Sequence, residues 1–269
     1  MRATLRTAYQ RLVPLAVRRR LRIVLREAPL RLRDLRADLA DAMGRRDAPL
    51  PPARLRASVG IDSSRAHFLD VGRRALVDLT AALATAGVPL ESLHDWLDFG
   101  CGSGRVARHV VAIPTVNTLT GIDVDDRAIR WCAGHLPGVF HTIAPQPPTA
   151  LADASYDIVY AVSVFTHFDE RQQLDWLAEL QRLLRPNGIL LVTTHPTSLV
   201  HHRPDLTEAH HAALAESGFT FKRGTIGFND DSAFHTRDYM ERVWSQWFRP
   251  VRFLPGGLAG YHDISIWRR

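Results

Sequence analysis

Cysteine is scarce in this chain. Only Cys101 and Cys132 occur in 269 residues. They fall in different predicted elements, and no CxxC pair or Cys/His cluster has zinc spacing. A disulfide framework is thereby excluded, and no metal is expected. Long apolar runs are missing as well: nothing reaches the roughly 18 consecutive apolar residues of a membrane-spanning helix. The apolar residues near the N-terminus are interrupted by Arg before they reach signal-peptide length. A cytoplasmic location is the expectation, and the reducing cytosol suits the cysteine usage. Internal repeats and low-complexity tracts are also absent. Acidic residues are few at one end: residues 1–46 hold thirteen Arg against four carboxylates, and the remainder carries slightly more acidic than basic residues. The net charge of +6 therefore belongs to an appendage. Such an arm is either a pair of solvated amphipathic helices or a docking element for nucleic acid, an anionic membrane surface or an acidic partner.

What is present is a change of period. Apolar residues recur at helical intervals over 4–27 (Leu5, Tyr9, Leu12, Leu21, Val24), broken by Pro14 and ended by Pro29, and again over 30–44. Pro49-Leu50-Pro51-Pro52 reads as a linker, and a helix is expected from Ser64 to Ala86 with Gly87 as its stop. From Trp96 onward short apolar strands alternate with helices. Strands are expected at 96–99, 119–122, 139–143, 156–162, 189–193, 219–222 and 263–267. Helices are expected at 105–111, 126–133, 172–184 and 206–217. This alternation implies an α/β fold, a Rossmann-like, seven-stranded and mostly parallel sheet with helices on both faces. The division expected is a basic helical extension over 1–89, with lid character, and a main domain over 90–269. Residues 224–262 form an aromatic-rich insertion with a helix near 236–247.

The sharpest local signal is Asp98-Phe99-Gly100-Cys101-Gly102-Ser103-Gly104, a glycine-rich turn between a strand and a helix. Glycine there allows a tight turn and close approach of a ligand, and the following helix presents free N–H groups. The second half of the signal is Gly121-Ile122-Asp123, ending the next strand, where a carboxylate can accept both hydroxyls of a ribose. A dinucleotide fingerprint requires Gly or Ala five residues after its first glycine; Arg105 stands there instead. A pyrophosphate would also be repelled by Asp98, two residues before that glycine. S-adenosylmethionine (SAM) has no phosphate and carries an ammonium and a sulfonium, which a carboxylate favours.

The run Leu97 to Arg105 resembles the first motif of class I SAM-dependent methyltransferases, and Gly121-Ile122-Asp123 resembles their second. Residues 153–167, ending in Ser163-Val164-Phe165-Thr166-His167, resemble the family's fourth strand and the loop bordering the cofactor. Leu183 to Leu191, with Pro186-Asn187-Gly188, resembles the approach to the fifth strand. The resemblance covers about 90–269 and implies SAM as cofactor and S-adenosylhomocysteine as product. It places Asp98, Phe99, Gly100, Cys101, Gly102, Gly104 and Arg105 at the methionine end and Asp123 at the ribose. Ile122 and Val124 fall beside the adenosine, Leu151 and Ala152 near the adenine, and Val162 and Ser163 over the methionine portion.

Methyl transfer from a sulfonium needs alignment and, for some acceptors, removal of a proton. His167, His195 and His262 are the candidate bases, because each lies near a strand end on the substrate side and histidine titrates near neutrality. The leading expectation is a small-molecule acceptor, methylated on oxygen or nitrogen. The alternatives are an RNA or protein acceptor docked by the Arg-rich arm, or a non-catalytic SAM-binding scaffold. The arm lacks the aromatic residues of a base-stacking surface. The Asn/Asp-Pro-Pro-Phe/Tyr signature of base amino-group methylation is absent, Ser163-Val164-Phe165-Thr166 standing in its place. The oligomeric state is open, a homodimer included.

Overall fold

The structure is a computed structural model that describes residues 32, 35, 36, 38, 39, 49–59, 63–224 and 230–269. The helix expected at 4–27 lies outside the described residues, as does most of the one at 30–44. The chain divides into two compact units, Met1–His67 and Phe68–Arg269. In the first unit, helix α1 (Ala53–Ser58) follows the proline linker. Its Arg56 donates to the carbonyls of Pro51 (2.6 Å) and Ser63 (2.5 Å), and the Ala53 N–H donates to Asp38 (2.6 Å). Helix α2 (Arg65–Thr85) begins in the first unit and continues into the second.

The second unit is built on a seven-stranded sheet. Its strands are β1 (Asp95–Phe99), β2 (Thr118–Asp123), β3 (Val139–Thr142), β4 (Tyr156–Ala161), β5 (Leu184–Thr194), β8 (Arg249–Leu258) and β9 (His262–Arg268), in the order β3-β2-β1-β4-β5-β9-β8. The first five run parallel; β9 is antiparallel to β5, and β8 to β9. The central strands are largely apolar because helices cover both faces, and the alternation of side chains divides one run of residues between two cores. Trp96, Tyr160 and Leu191 face one core, with Ala75, Leu79 and Leu83 of α2, α3 (Ala107–Val110) and α4 (Asp126–His135). Leu97, Phe99, Val159 and Leu190 face the other, with Trp176, Leu177, Leu180 and Leu183 of α5 (Glu170–Leu183). Helix starts follow local chemistry. Asp125 accepts the Arg127 N–H ahead of α4, and Asp169 forms a capping box with Gln172 ahead of α5.

The expected strand count is met, but by different strands. Phe219–Lys222 (β6) is not in the main sheet; it pairs antiparallel with β7 (Ser232–His235) in a separate two-stranded sheet. The seventh strand of the main sheet is β8, inside the expected insertion. Its sequence, with Pro250, Pro255, Gly256 and Gly257, does not read as a strand. Such residues are tolerated because β8 is an edge strand whose pairing slips at two places. Strand β5 also starts five residues earlier than expected. It runs through Pro186-Asn187-Gly188, where Asn187 takes a φ of +66° in place of a chain-reversing turn. The helix after the glycine loop is only one turn, Ala107–Val110 rather than 105–111. Helices α6 (Glu208–Ser217) and α7 (Arg237–Trp244) lie close to expectation. Among the described residues, no helix is long and apolar enough to cross a membrane.

The Trp176 ring, 1% exposed, sits 4.6 Å from that of Phe99 and donates its Nε1–H to the Pro145 carbonyl. Trp176→Ala is expected to cost about 3–5 kcal/mol through lost burial and a residual cavity, and Asp169→Ala about 1 kcal/mol through loss of the cap. Urea unfolding checks both: the midpoint should fall in that order with the slope unchanged.

Candidate functional site

The strand order reverses between β1 and β4, and ligands of open α/β sheets bind at such a point, beyond the carboxyl ends of the strands. The glycine loop follows β1 there. Asp123 ends β2, Ser163 and His167 follow β4, and His195 follows β5. His262 opens β9, which is antiparallel and so begins at the same edge.

The loop is held from below: the N–H groups of Gly100 and Cys101 donate to the Ile122 carbonyl at 2.8 and 3.1 Å. Gly100 and Gly104 have φ of +77° and +75°. A Cβ at Gly100 would lie 2.4 Å from a Val164 methyl, and one at Gly104 would lie 2.4 Å from a Leu136 methyl. The close approach that demands glycine at these two positions is therefore made by the protein itself. The two cysteines, expected in unrelated elements, converge under this loop. Both sulfurs lie near the Gly102 carbonyl, Cys101 at 3.7 Å and Cys132 at 3.6 Å. The neighbouring Cys132 thiol, burial, and the Asp98 and Asp123 carboxylates push the Cys101 thiol well up, which keeps it protonated and inert.

Asp98 is buried and accepts the Tyr160 hydroxyl at 2.7 Å. Register places the two residues opposite each other on β1 and β4. Burial pushes the Asp98 carboxyl up to about 7; Asp123 adds to this, while the Tyr160 hydrogen bond and Arg105 oppose it. Arg105 is half-buried, its basicity lowered by burial, and its buried Nε has no hydrogen-bond partner. Asp123 accepts the Gly102 N–H on Oδ2 and the Asp125 N–H on Oδ1, both at 2.8 Å, and its carboxylate is also bonded by the Val124 backbone. Its pKa is raised, burial outweighing those hydrogen bonds. Val124 beside it is 49% exposed.

Phe99 is buried in the α5-side core and contributes packing below the loop. Leu151 and Ala152 sit on the loop after β3. Glu179 pins that loop by accepting the Thr149 N–H at 2.8 Å, and Arg182 by donating to the Leu151 carbonyl at 2.9 Å. Val162 is half-buried against the α2-side core. These groups fit SAM. The buried Asp98 carboxylate with the Arg105 guanidinium matches an α-amino-acid zwitterion, and the Asp123 carboxylate at the end of β2 matches a vicinal diol as an acceptor.

The three histidines come together. The His262 ring lies 5.0 Å from that of His195 and 4.8 Å from that of Tyr261; His195 stacks on Phe234 at 5.2 Å. His167 donates its Nδ1–H to the Asp231 carbonyl at 2.8 Å. Burial, reinforced by neighbouring histidines and arginines, lowers His195 to about 3 and His262 to about 4. Ser163 was not singled out in this role by sequence, yet its Oγ lies 3.3 Å from His262 Nδ1. It holds a left-handed φ of +60°, an arrangement that non-glycine residues adopt at a cost. The Thr193 hydroxyl accepts its N–H at 2.8 Å and the Thr166 hydroxyl donates to its carbonyl at 2.9 Å, fixing that conformation. Tyr160 and His235 were also missed. His235 is buried, bonded to Gln173 at 2.8 Å and lowered to about 3 by burial. Among the described residues, no group of three His, Cys, Asp or Glu side chains could hold a metal ion.

Asp98 gives a pH prediction. Its folded-state pKa lies above the ordinary carboxylate value of about 3.9. The folded protein therefore keeps a proton between about pH 4 and 7 that the unfolded chain has released. This contribution to stability is full below about pH 4 and is lost as pH rises through about 7. Asp98→Asn removes the titration, so melting temperatures from pH 5 to 8 should shift progressively in the variant's favour. A constant difference would show that Asp98 is not desolvated.

A family model described as a methyltransferase domain matches residues 97–192. The chain is 32% identical over 125 residues to trans-aconitate 2-methyltransferase of Agrobacterium fabrum, covering 44% of this chain and 46% of that protein. It is 31% identical over 105 residues to an O-methyltransferase of Aspergillus nomiae, covering 36% and 44%. It thus spans less than half the length of these relatives. The crystal structure of a SAM-dependent methyltransferase from Clostridium acetobutylicum superposes with a TM-score of 0.53 at 7% identity, covering 73% of this chain and 91% of that one, and shows the shared fold. The match over residues 97–192 and the sheet order identify a class I, Rossmann-like SAM-dependent methyltransferase domain within the chain.

Proposed function

We propose that the protein transfers a methyl group from SAM to an oxygen or nitrogen atom of a small-molecule acceptor, leaving S-adenosylhomocysteine. The observation that carries this reading is the buried Asp98 next to Arg105 at the strand-order reversal, with Asp123 one strand away. SAM supplies a methyl group already activated on a sulfonium sulfur. The chain's residues bind and orient. Asp98 takes the ammonium, Arg105 the α-carboxylate and Asp123 the ribose hydroxyls. The glycine loop and Val162 border the methionine portion. Val124, Leu151 and Ala152 flank the adenosine.

The acceptor sits on the histidine side, toward β5 and β9, where His167, His195 and His262 line the approach. Residues 90–269 carry the methyl-transfer site and 1–89 are the extension, of which the part from Phe68 on belongs to the same compact unit as the sheet. The names of the relatives point in the same direction, one being an O-methyltransferase and the other a trans-aconitate 2-methyltransferase.

Calorimetry should show binding of SAM and none of NAD. Asp123→Ala should weaken SAM binding by about tenfold or more, since hydrogen bonds to a charged group contribute ~1.5–3 kcal/mol. Preferential binding of NAD, or unchanged affinity in Asp123→Ala, would sink the assignment.

A further inference from the structure

Three histidines reach the carboxyl edge of the sheet from three different elements, and two of their ring nitrogens are left over. Among the described residues, His195 Nδ1 and His262 Nε2 are buried without a hydrogen-bond partner. A buried polar atom without a partner costs free energy that a ligand can recover. The two rings are neighbours, their centroids 5.0 Å apart with the planes at 63°. The second nitrogen of His262 faces the Ser163 hydroxyl, whose backbone Thr193 and Thr166 hold in its left-handed conformation. A Ser163 hydroxyl donating to Nδ1 leaves the hydrogen of His262 on Nε2, pointing away as a donor.

The surroundings decide what these donors hold. Among the described residues, no carboxylate forms a hydrogen bond with His167, His195 or His262. Instead, the groups that act on His195 are His262, His167, Arg203 and His235, and those that act on His262 are His167 and Arg105; all oppose a positive charge on the rings. The carboxylates of this region are engaged elsewhere. Asp98 holds Tyr160, Asp205 holds Arg203 and Lys222, Asp231 accepts the Gly224 N–H, and Asp263 accepts the Gly256 N–H. Both rings are neutral at pH 7. They have too little basicity to strip a proton from a hydroxyl, for which a phenol near pKa 10 would be the easy case. A neutral ring nevertheless donates one N–H.

We propose, building on the methyltransferase reading above, that the acceptor is a carboxylate held by the ring N–H groups of His195 and His262. Such an acceptor is ionised before it binds and requires no base. One carboxylate oxygen forms the new bond to the methyl carbon, the carbon–sulfur bond breaks with its electron pair left on sulfur, and no proton moves. The product is a methyl ester. His195 and His262 thus act as donors that select and align an anion.

The test uses the full chain with benzoate, hexanoate and trans-aconitate as probes, and catechol and benzylamine as controls. Calorimetry with S-adenosylhomocysteine present should show a carboxylate binding. His195→Leu and His262→Leu should weaken that binding at least tenfold, whereas His195→Gln and His262→Gln, which keep an N–H, should recover most of it. With SAM saturating, the product should be a base-labile ester that releases methanol, and kcat should be flat from pH 6 to 9. Carboxylates that neither bind nor react while SAM binds would overturn the acceptor assignment alone. So would methylation of catechol or benzylamine in their place, or an acid limb in kcat that disappears in the Gln variants. Failure to bind SAM at all would overturn the underlying methyltransferase reading, and the carboxylate assignment with it.

Discussion

The buried carboxylate of Asp98 is the constraint on which the rest of the site depends. A charge placed where β1 and β4 diverge is stable only if something pairs with it, and Tyr160 supplies a single hydrogen bond. That shortfall keeps the group near half-ionised at neutral pH and receptive to a cation. Everything adjacent preserves it. The glycine loop arches over the strand end, held by the Ile122 carbonyl, and the inert thiols of Cys101 and Cys132 fill the space beneath. Arg105 adds the opposite charge at the mouth. A site so built is preorganised by packing, because Gly100 and Gly104 are fixed by Val164 and Leu136 with no ligand needed to shape the turn.

Much of this was legible in the sequence, because it rests on local rules. The strand–turn–helix around Gly100 and the carboxylate at Asp123 are short-range patterns, and the fold class follows from their alternation. The residues that escaped are set by long-range partners. Tyr160 reads as one more apolar strand residue; only register across β1 and β4 sets its hydroxyl on Asp98. Ser163 carries no sequence mark of a positive φ, since that conformation is held by Thr193 on the neighbouring strand β5 together with the nearby Thr166.

Strand β8 was missed for the opposite reason. Its prolines and glycines speak locally against a strand, and an edge position next to β9 overrides them. The same pairing requirement removes β6 from the sheet. Residues 219–222 have strand chemistry, but their partner is Ser232–His235, a segment inside the insertion. Pattern identifies which residues extend; which sheet they join depends on what lies opposite.

The histidines show the limit most clearly. Sequence places three near the strand ends, and their usual titration range suggests bases. For His195 and His262, burial opposes that inference. A ring held among other imidazoles and arginines loses basicity but keeps its N–H, so the property that identified the histidines is not the one the fold retains. The two halves of the site then divide the electrostatic work. The Asp98 side favours an ammonium, while the His195 and His262 side, facing Arg105 and Arg203 and free of carboxylate partners, favours an anion. Direct displacement requires the acceptor oxygen, the methyl carbon and the sulfur in line, and opposite polarities on the two sides of the site would help to orient a cationic donor and an anionic acceptor for it.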